Sequence, residues 1–168
     1  YDIALLRAIG AQLGVEVVFK DFALEGLADA LQLGQIDVAA AALTVTPERA
    51  ALVDFSQPYF ASTEGIVARK GSAGAVTSFA DLAGQRIGVE RGSIYEGSLR
   101  KELIEGGLSP AENLLLYTTV DGAANDLAAG RIDLVVTDLA AAESIAKAND
   151  LQVVGSGLSA QQYALEVR

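Results

Sequence analysis

Apolar residues in this chain come in short runs broken by glycine or by single polar residues, the pattern of short helices alternating with buried strands. Ile36 to Leu43 is almost wholly apolar after Asp37, as in a strand covered on both faces. Val15 to Phe19 and Leu114 to Tyr117 read as two further apolar strands. Thr46 and Pro47 follow the first of these runs, an N-cap and a first helical residue that together open a helix. Arg86 to Ser93 (RIGVERGS) reads as a strand, a glycine turn and a helix opening near Ile94. Asp138 heads a helical pattern from about Leu139 to Asn149. Gly71 to Thr77 is a small, polar turn.

The pattern repeats. Gly26 to Val38 (GLADALQLGQIDV) and Gly122 to Leu134 (GAANDLAAGRIDL) align at an offset of 96 residues, as from Gly26 to Gly122. Gly, Ala, Leu, Gly, Ile and Asp are identical at 26/122, 28/124, 31/127, 34/130, 36/132 and 37/133. Each copy is a short amphipathic helix, a glycine suited to a left-handed C-cap and a strand. Two related α/β lobes follow from this repeat, against the competing account of chance likeness between two common units. The offset sets Asp138 opposite Ala42, so corresponding strand ends carry Leu43 and Thr44 in one lobe and Asp138 in the other.

Composition narrows the function. The chain has 168 residues, 51% of them hydrophobic, with no Cys and no His. That removes disulfide frameworks, Ser-His-Asp and Cys-His catalysis and ordinary zinc sites. A formal charge of −10 argues against nucleic acid or anionic lipid as partner. No apolar run approaches a membrane span, and no cationic-then-apolar segment opens the chain.

Carboxylate-only chemistry remains possible, and with it ion pairing. Arg49 lies on the first turn of a helix at the C-terminal end of a strand, where open α/β sheets take ligands. Its guanidinium offers a planar fork matched to a carboxylate; surface pairing with Glu48 or Asp54 is the structural alternative. Asp138 suits an ammonium group, or serves simply as a helix cap. Backbone N–H groups at the Ser93–Ile94 helix start suit an anion, with the Ser93 hydroxyl added; capping is again the alternative. The segment is neither a GxGxxG nor a P-loop, so nucleotide binding lacks support.

Leu43, Thr44, Val45, Thr46, Pro47, Glu48, Arg49, then Asp54, Phe55, Ser56, Gln57, Pro58, Tyr59, Phe60 resemble the signature of the bacterial extracellular solute-binding proteins of family 3, the amino-acid-binding proteins of ABC importers. Tyr1, Asp2 and Ile3 resemble the family's opening, and the resemblance runs to Arg168. It implies a type II periplasmic-binding-protein-like fold: α/β, two lobes, each a doubly wound sheet, with two crossover strands as a hinge. Lobe 1 would be residues 1–60 plus 164–168, the crossovers 61–67 and 159–163, and lobe 2 residues 68–158. Ala42 stands where the family usually has glycine, a change that leaves backbone contacts open.

The resemblance further implies Arg49 and Ser93 with the Ile94 N–H on the ligand carboxylate, Asp138 on its ammonium, and Ala42 and Thr44 beside them. Glu90 sits where the family often faces the ligand side chain. Phe22 lies near the family's ligand-stacking aromatic, although Leu24 matches the spacing better. The expected function is to bind a small amino acid between the lobes and deliver it to an ABC-type importer, as a monomer outside the cytoplasm (in the periplasm or anchored to the outer face of the membrane). No cofactor, metal or catalysis is expected. Alternatives are the sensing domain of a membrane receptor or sensor kinase, and a cyclohexadienyl dehydratase-like enzyme with Glu90 as its acid. The family's first strand and closing helices have no counterpart in these residues. That strand would lie between Val15–Phe19 and Ile36–Leu43.

Overall fold

The chain divides into two contact units, Tyr1–Ala61 with Gln161–Arg168, and Ser62–Ala160; the computed structural model describes all of Tyr1–Arg168. Two long strands, β3 (Phe60–Arg69) and β7 (Leu151–Val167), carry the chain across the boundary. The residues expected as extended crossovers are therefore parts of paired strands.

In the first unit, α1 (Asp2–Leu13), α2 (Leu27–Gln32), β1 (Val38–Thr44), α3 (Pro47–Ala50) and β2 (Asp54–Phe55) surround the end of β7. Both β1 and β2 run antiparallel to β7, with Ala39 and Phe55 each in register with Glu166. The core is Leu27, Leu31, Ala39, Leu43 and Val53, with Leu24, Ile36 and Phe55 packed on it.

Two expectations fail in this unit. Residues 15–19 form no strand. They border a cavity of about 480 Å³ lined also by α1 and β1, and a strand needs a ladder partner about 4.8 Å away. Nor is β1 covered on both faces: Val38 is 37% exposed, and Ala41 and Ala42 are exposed. Its pairing with β7 shifts register between Ala39 and Leu43. Ala42 there takes a left-handed φ of 49°, the conformation that favours glycine.

The second unit holds the rest of β3 and β7 together with β4 (Ile87–Glu90), β5 (Leu114–Tyr117) and β6 (Leu134–Asp138). β4 lies parallel to both β5 and β6, while β3 runs antiparallel to β6. Strand alternation sends successive side chains to opposite faces. Ile66, Ile87, Val89, Leu134 and Val136 build one core, with Leu99 and Leu103. Val67 and Val135 build the other with α5 (Val120–Ala128) and α6 (Leu139–Ala148). Helices on both faces of a mixed sheet, parallel at β5, β4 and β6 and antiparallel at β3, give the doubly wound pattern. Gly65 lets α6 approach, since a Cβ there would collide with Ala142.

The repeat holds in three dimensions. Each copy runs from helix (α2, α5) through a left-handed glycine (Gly34 at φ 66°, Gly130 at φ 75°) into a strand (β1, β6).

Candidate functional site

The Arg49 corner is built locally. The Thr46 side chain accepts the Arg49 N–H at 3.2 Å, capping α3, and Pro47 takes the first helical position. The cap fixes where the side chain leaves the helix. The Arg49 Nη1 donates to the carbonyl of Thr44 at 3.2 Å, and its Nε lies 3.9 Å from Glu166 Oε1. With its side chain only 19% exposed, Arg49 is no solvated surface charge. Burial lowers its pKa, with Glu166 pulling the other way.

Thr44 is buried and its hydroxyl donates to Gln161 Oε1 at 3.2 Å. What it offers the corner is its carbonyl. Next to it, the Ala42 N–H donates to Asp2 Oδ2 at 2.9 Å, and Asp2 Oδ1 accepts the Tyr59 hydroxyl at 2.9 Å. Tyr1 stacks on Tyr59 with ring centroids 5.6 Å apart.

In the second unit, β4 and β6 are adjacent and parallel, with Val89 in register with Val136. Their C-terminal ends bring Glu90, Ser93 and Ile94 to the same edge as Asp138. The Ser93 side chain accepts the Glu96 N–H at 3.4 Å, capping α4 (Ile94–Leu99). Asp138 caps α6: its Oδ1 accepts the Ala140 N–H at 2.9 Å. Its Oδ2 accepts the Ser62 hydroxyl at 2.9 Å, so the carboxylate is held from two sides. Glu90 is half-buried at the end of β4.

The expected residues thus form two groups. Ala42, Thr44 and Arg49 lie together at the β1–α3 corner of the first unit. Glu90, Ser93, Ile94 and Asp138 lie together at the strand ends of the second. Leu24 packs on the first unit's core, and Phe22 is 37% exposed outside any helix or strand.

Sequence reasoning passed over Ser62 and Glu166, the residues that hold Asp138 and Arg49. For Glu166 a signal existed. It is a lone charge in the otherwise apolar run Ala164–Val167 and is only 2% exposed. Burial raises its pKa, against the pull of Arg49.

Comparison with known proteins follows the same lines. The family model for bacterial extracellular solute-binding proteins, family 3, matches residues 1–105. An L-cystine-binding protein of Escherichia coli is 31% identical over 170 aligned residues, covering 100% of this chain and 62% of its own length. The chain therefore spans less than two thirds of that relative. Among solved structures, an ancestral arginine-binding protein bound to arginine aligns with a TM-score of 0.90 at 38% identity, covering 99% of this chain and 73% of its own. An ancestral amino-acid-binding protein described as a precursor of cyclohexadienyl dehydratase aligns at 0.86 with 31% identity, covering 99% and 70%.

Proposed function

The chain belongs to the bacterial extracellular solute-binding proteins, family 3, and we propose that it binds a free α-amino acid, Arg49 taking the α-carboxylate and Asp138 the α-ammonium group. One observation carries this reading. Each repeated helix–glycine–strand unit leads into a corner that bears one charge, Arg49 on α3 just after β1 and Asp138 at the end of β6, of opposite sign and each fixed by hydrogen bonds within its own unit. A guanidinium and a carboxylate held in advance match the two ends of a zwitterion, and little side-chain entropy remains to be lost on binding. Ser93 and the Ile94 N–H stand at the same strand edge as Asp138 and add polar contacts to the ligand.

Binding rather than catalysis is the activity proposed. The relatives named above are described as binding proteins, including the one that preceded a dehydratase. In the whole protein, delivery of the amino acid to an ABC-type membrane importer outside the cytoplasm is the role that fits the family. No helix here is long and apolar enough to cross a membrane.

The test is a thermal-shift screen of the common amino acids with L-cystine, followed by calorimetry on those that raise the melting temperature. Arginine and cystine are the first to try, because a solved neighbour binds the one and a relative is named for the other. Asp138→Asn keeps the shape and much of the capping while removing the charge. It should weaken binding far more than it lowers the unliganded melting temperature; equal loss of both would reduce Asp138 to a cap.

A further inference from the structure

Glu166 is a charged residue where the fold supplies almost no water. It stands near the end of β7 among Tyr163, Ala164 and Leu165, all at most 9% exposed, and is itself 2% exposed. Its strand is paired on both edges, with Ala39 of β1 and Phe55 of β2 both in register with it. The backbone therefore cannot carry this carboxylate out to solvent without breaking two ladders. Arg49 lies 3.9 Å away, beyond hydrogen-bond range but close enough for strong attraction in a dry setting.

We propose that Glu166 is the resident counter-carboxylate of Arg49, positioning the guanidinium in the empty site and taking up a proton from solvent when a ligand carboxylate arrives. The inference rests on the reading that Arg49 takes the ligand's carboxylate.

Its physical ground is charge balance. One guanidinium facing two ionised carboxylates leaves a net negative charge in a buried place, and like charges a few ångströms apart resist joint ionisation. The ligand keeps its charge because it arrives from water and is bound through it. Glu166 can neither be screened nor withdraw, so protonation is the response left to it. It starts poised for this, since burial already favours its neutral form.

Other titratable groups lie on the surrounding elements. Glu48 shares α3 with Arg49, and Asp54 lies on β2 in register with Val167. Asp37, before β1, pairs with Arg168 at 3.5 Å. Asp2 of α1 is engaged by Ala42 and Tyr59, and Glu25, in the short 3-10 helix Leu24–Gly26, and Asp29 of α2 are both exposed. Arg49 is the charge whose field registers on Glu166.

Titration calorimetry on the full chain reads this directly. The ligand is the tightest binder among the common amino acids and L-cystine, measured in buffers of different ionisation heat between about pH 5 and about pH 7. Wild-type protein should take up a fraction of a proton per ligand and lose affinity as pH rises, by at most about tenfold per pH unit. Glu166→Gln keeps the shape without the charge. It should bind more tightly at the upper pH, with a flatter profile and less proton uptake. The difference between the two proteins cancels any titration of the ligand itself.

Two failures are distinguishable. If Arg49→Lys abolishes binding while wild type and Glu166→Gln share one pH profile, Glu166 is a structural ion-pair partner and this inference alone falls. If Arg49→Lys binds like wild type, or no amino acid binds, the reading beneath it falls as well.

Discussion

At the scale of single residues, Arg49 has two jobs that one substitution can confuse. Arg49→Ala should weaken amino-acid binding by about 2–5 kcal/mol. It would also leave Glu166 buried without its main counter-charge, so a lower melting temperature should accompany the loss. Arg49→Lys separates the two effects. An ammonium still balances Glu166 but cannot reproduce a bidentate fork, so calorimetry should show binding lost and melting curves a largely intact fold. Ala42 poses a purely conformational question. It is exposed and sits at φ 49°, so a substitution there acts through the backbone. Ala42→Val should destabilise by about 1–2 kcal/mol, because branching at Cβ worsens a left-handed φ. Ala42→Gly relieves the strain and loosens the unfolded chain by similar amounts, so its net effect should stay within about 1 kcal/mol. Chemical denaturation checks both.

Between elements, Asp133 ties the start of β6 to the residue before β4. Arg86 donates to it from Nε at 3.0 Å, Nη2 at 2.8 Å and its backbone N at 3.0 Å. These bonds hold the Asp133 pKa down to about 2 from 3.8. A depressed carboxyl pKa stabilises above the unfolded value and loses that contribution as pH falls through the folded one. Asp133→Asn should therefore lower the melting temperature by about 2–4 °C near neutrality. The gap should close as pH falls from about 4 towards about 2, and a constant gap would show that charge is not its cause. Such pairs also mark how far sequence can be read. Thr46, Pro47, Gly34 and Gly130 were legible because a cap or a left-handed turn is decided by neighbours in the chain. The 96-residue repeat, as from Gly26 to Gly122, was legible because the same local devices recur. Val15 to Phe19 misled because an apolar run specifies burial, whereas a strand also needs a distant backbone to pair with. Glu166 was passed over for the same reason: its partner Arg49 approaches only when β7 returns beside β1.

At the scale of the molecule, the proposed ligand has one anchor in each contact unit, Arg49 in Tyr1–Ala61 and Asp138 in Ser62–Ala160. A ligand that depends on both ends is held only while both corners are formed. Local opening of either corner then competes with binding, and ligand at about a hundred times its dissociation constant adds about 2.7 kcal/mol against that opening. Amide exchange should accordingly slow by up to about a hundredfold at two places in the sequence, around Thr44–Ala50 and around Thr137–Ala140. Arg49→Lys and Asp138→Asn should each abolish protection at both places, because the loss of one anchor lowers occupancy of the whole site. A ligand that used the β1–α3 corner alone would protect that corner and leave the β6–α6 corner exchanging as before. Protection of one corner only, or a variant that loses protection at its own corner while keeping it at the other, would overturn two-ended recognition. It would leave a simple carboxylate or ammonium site in its place.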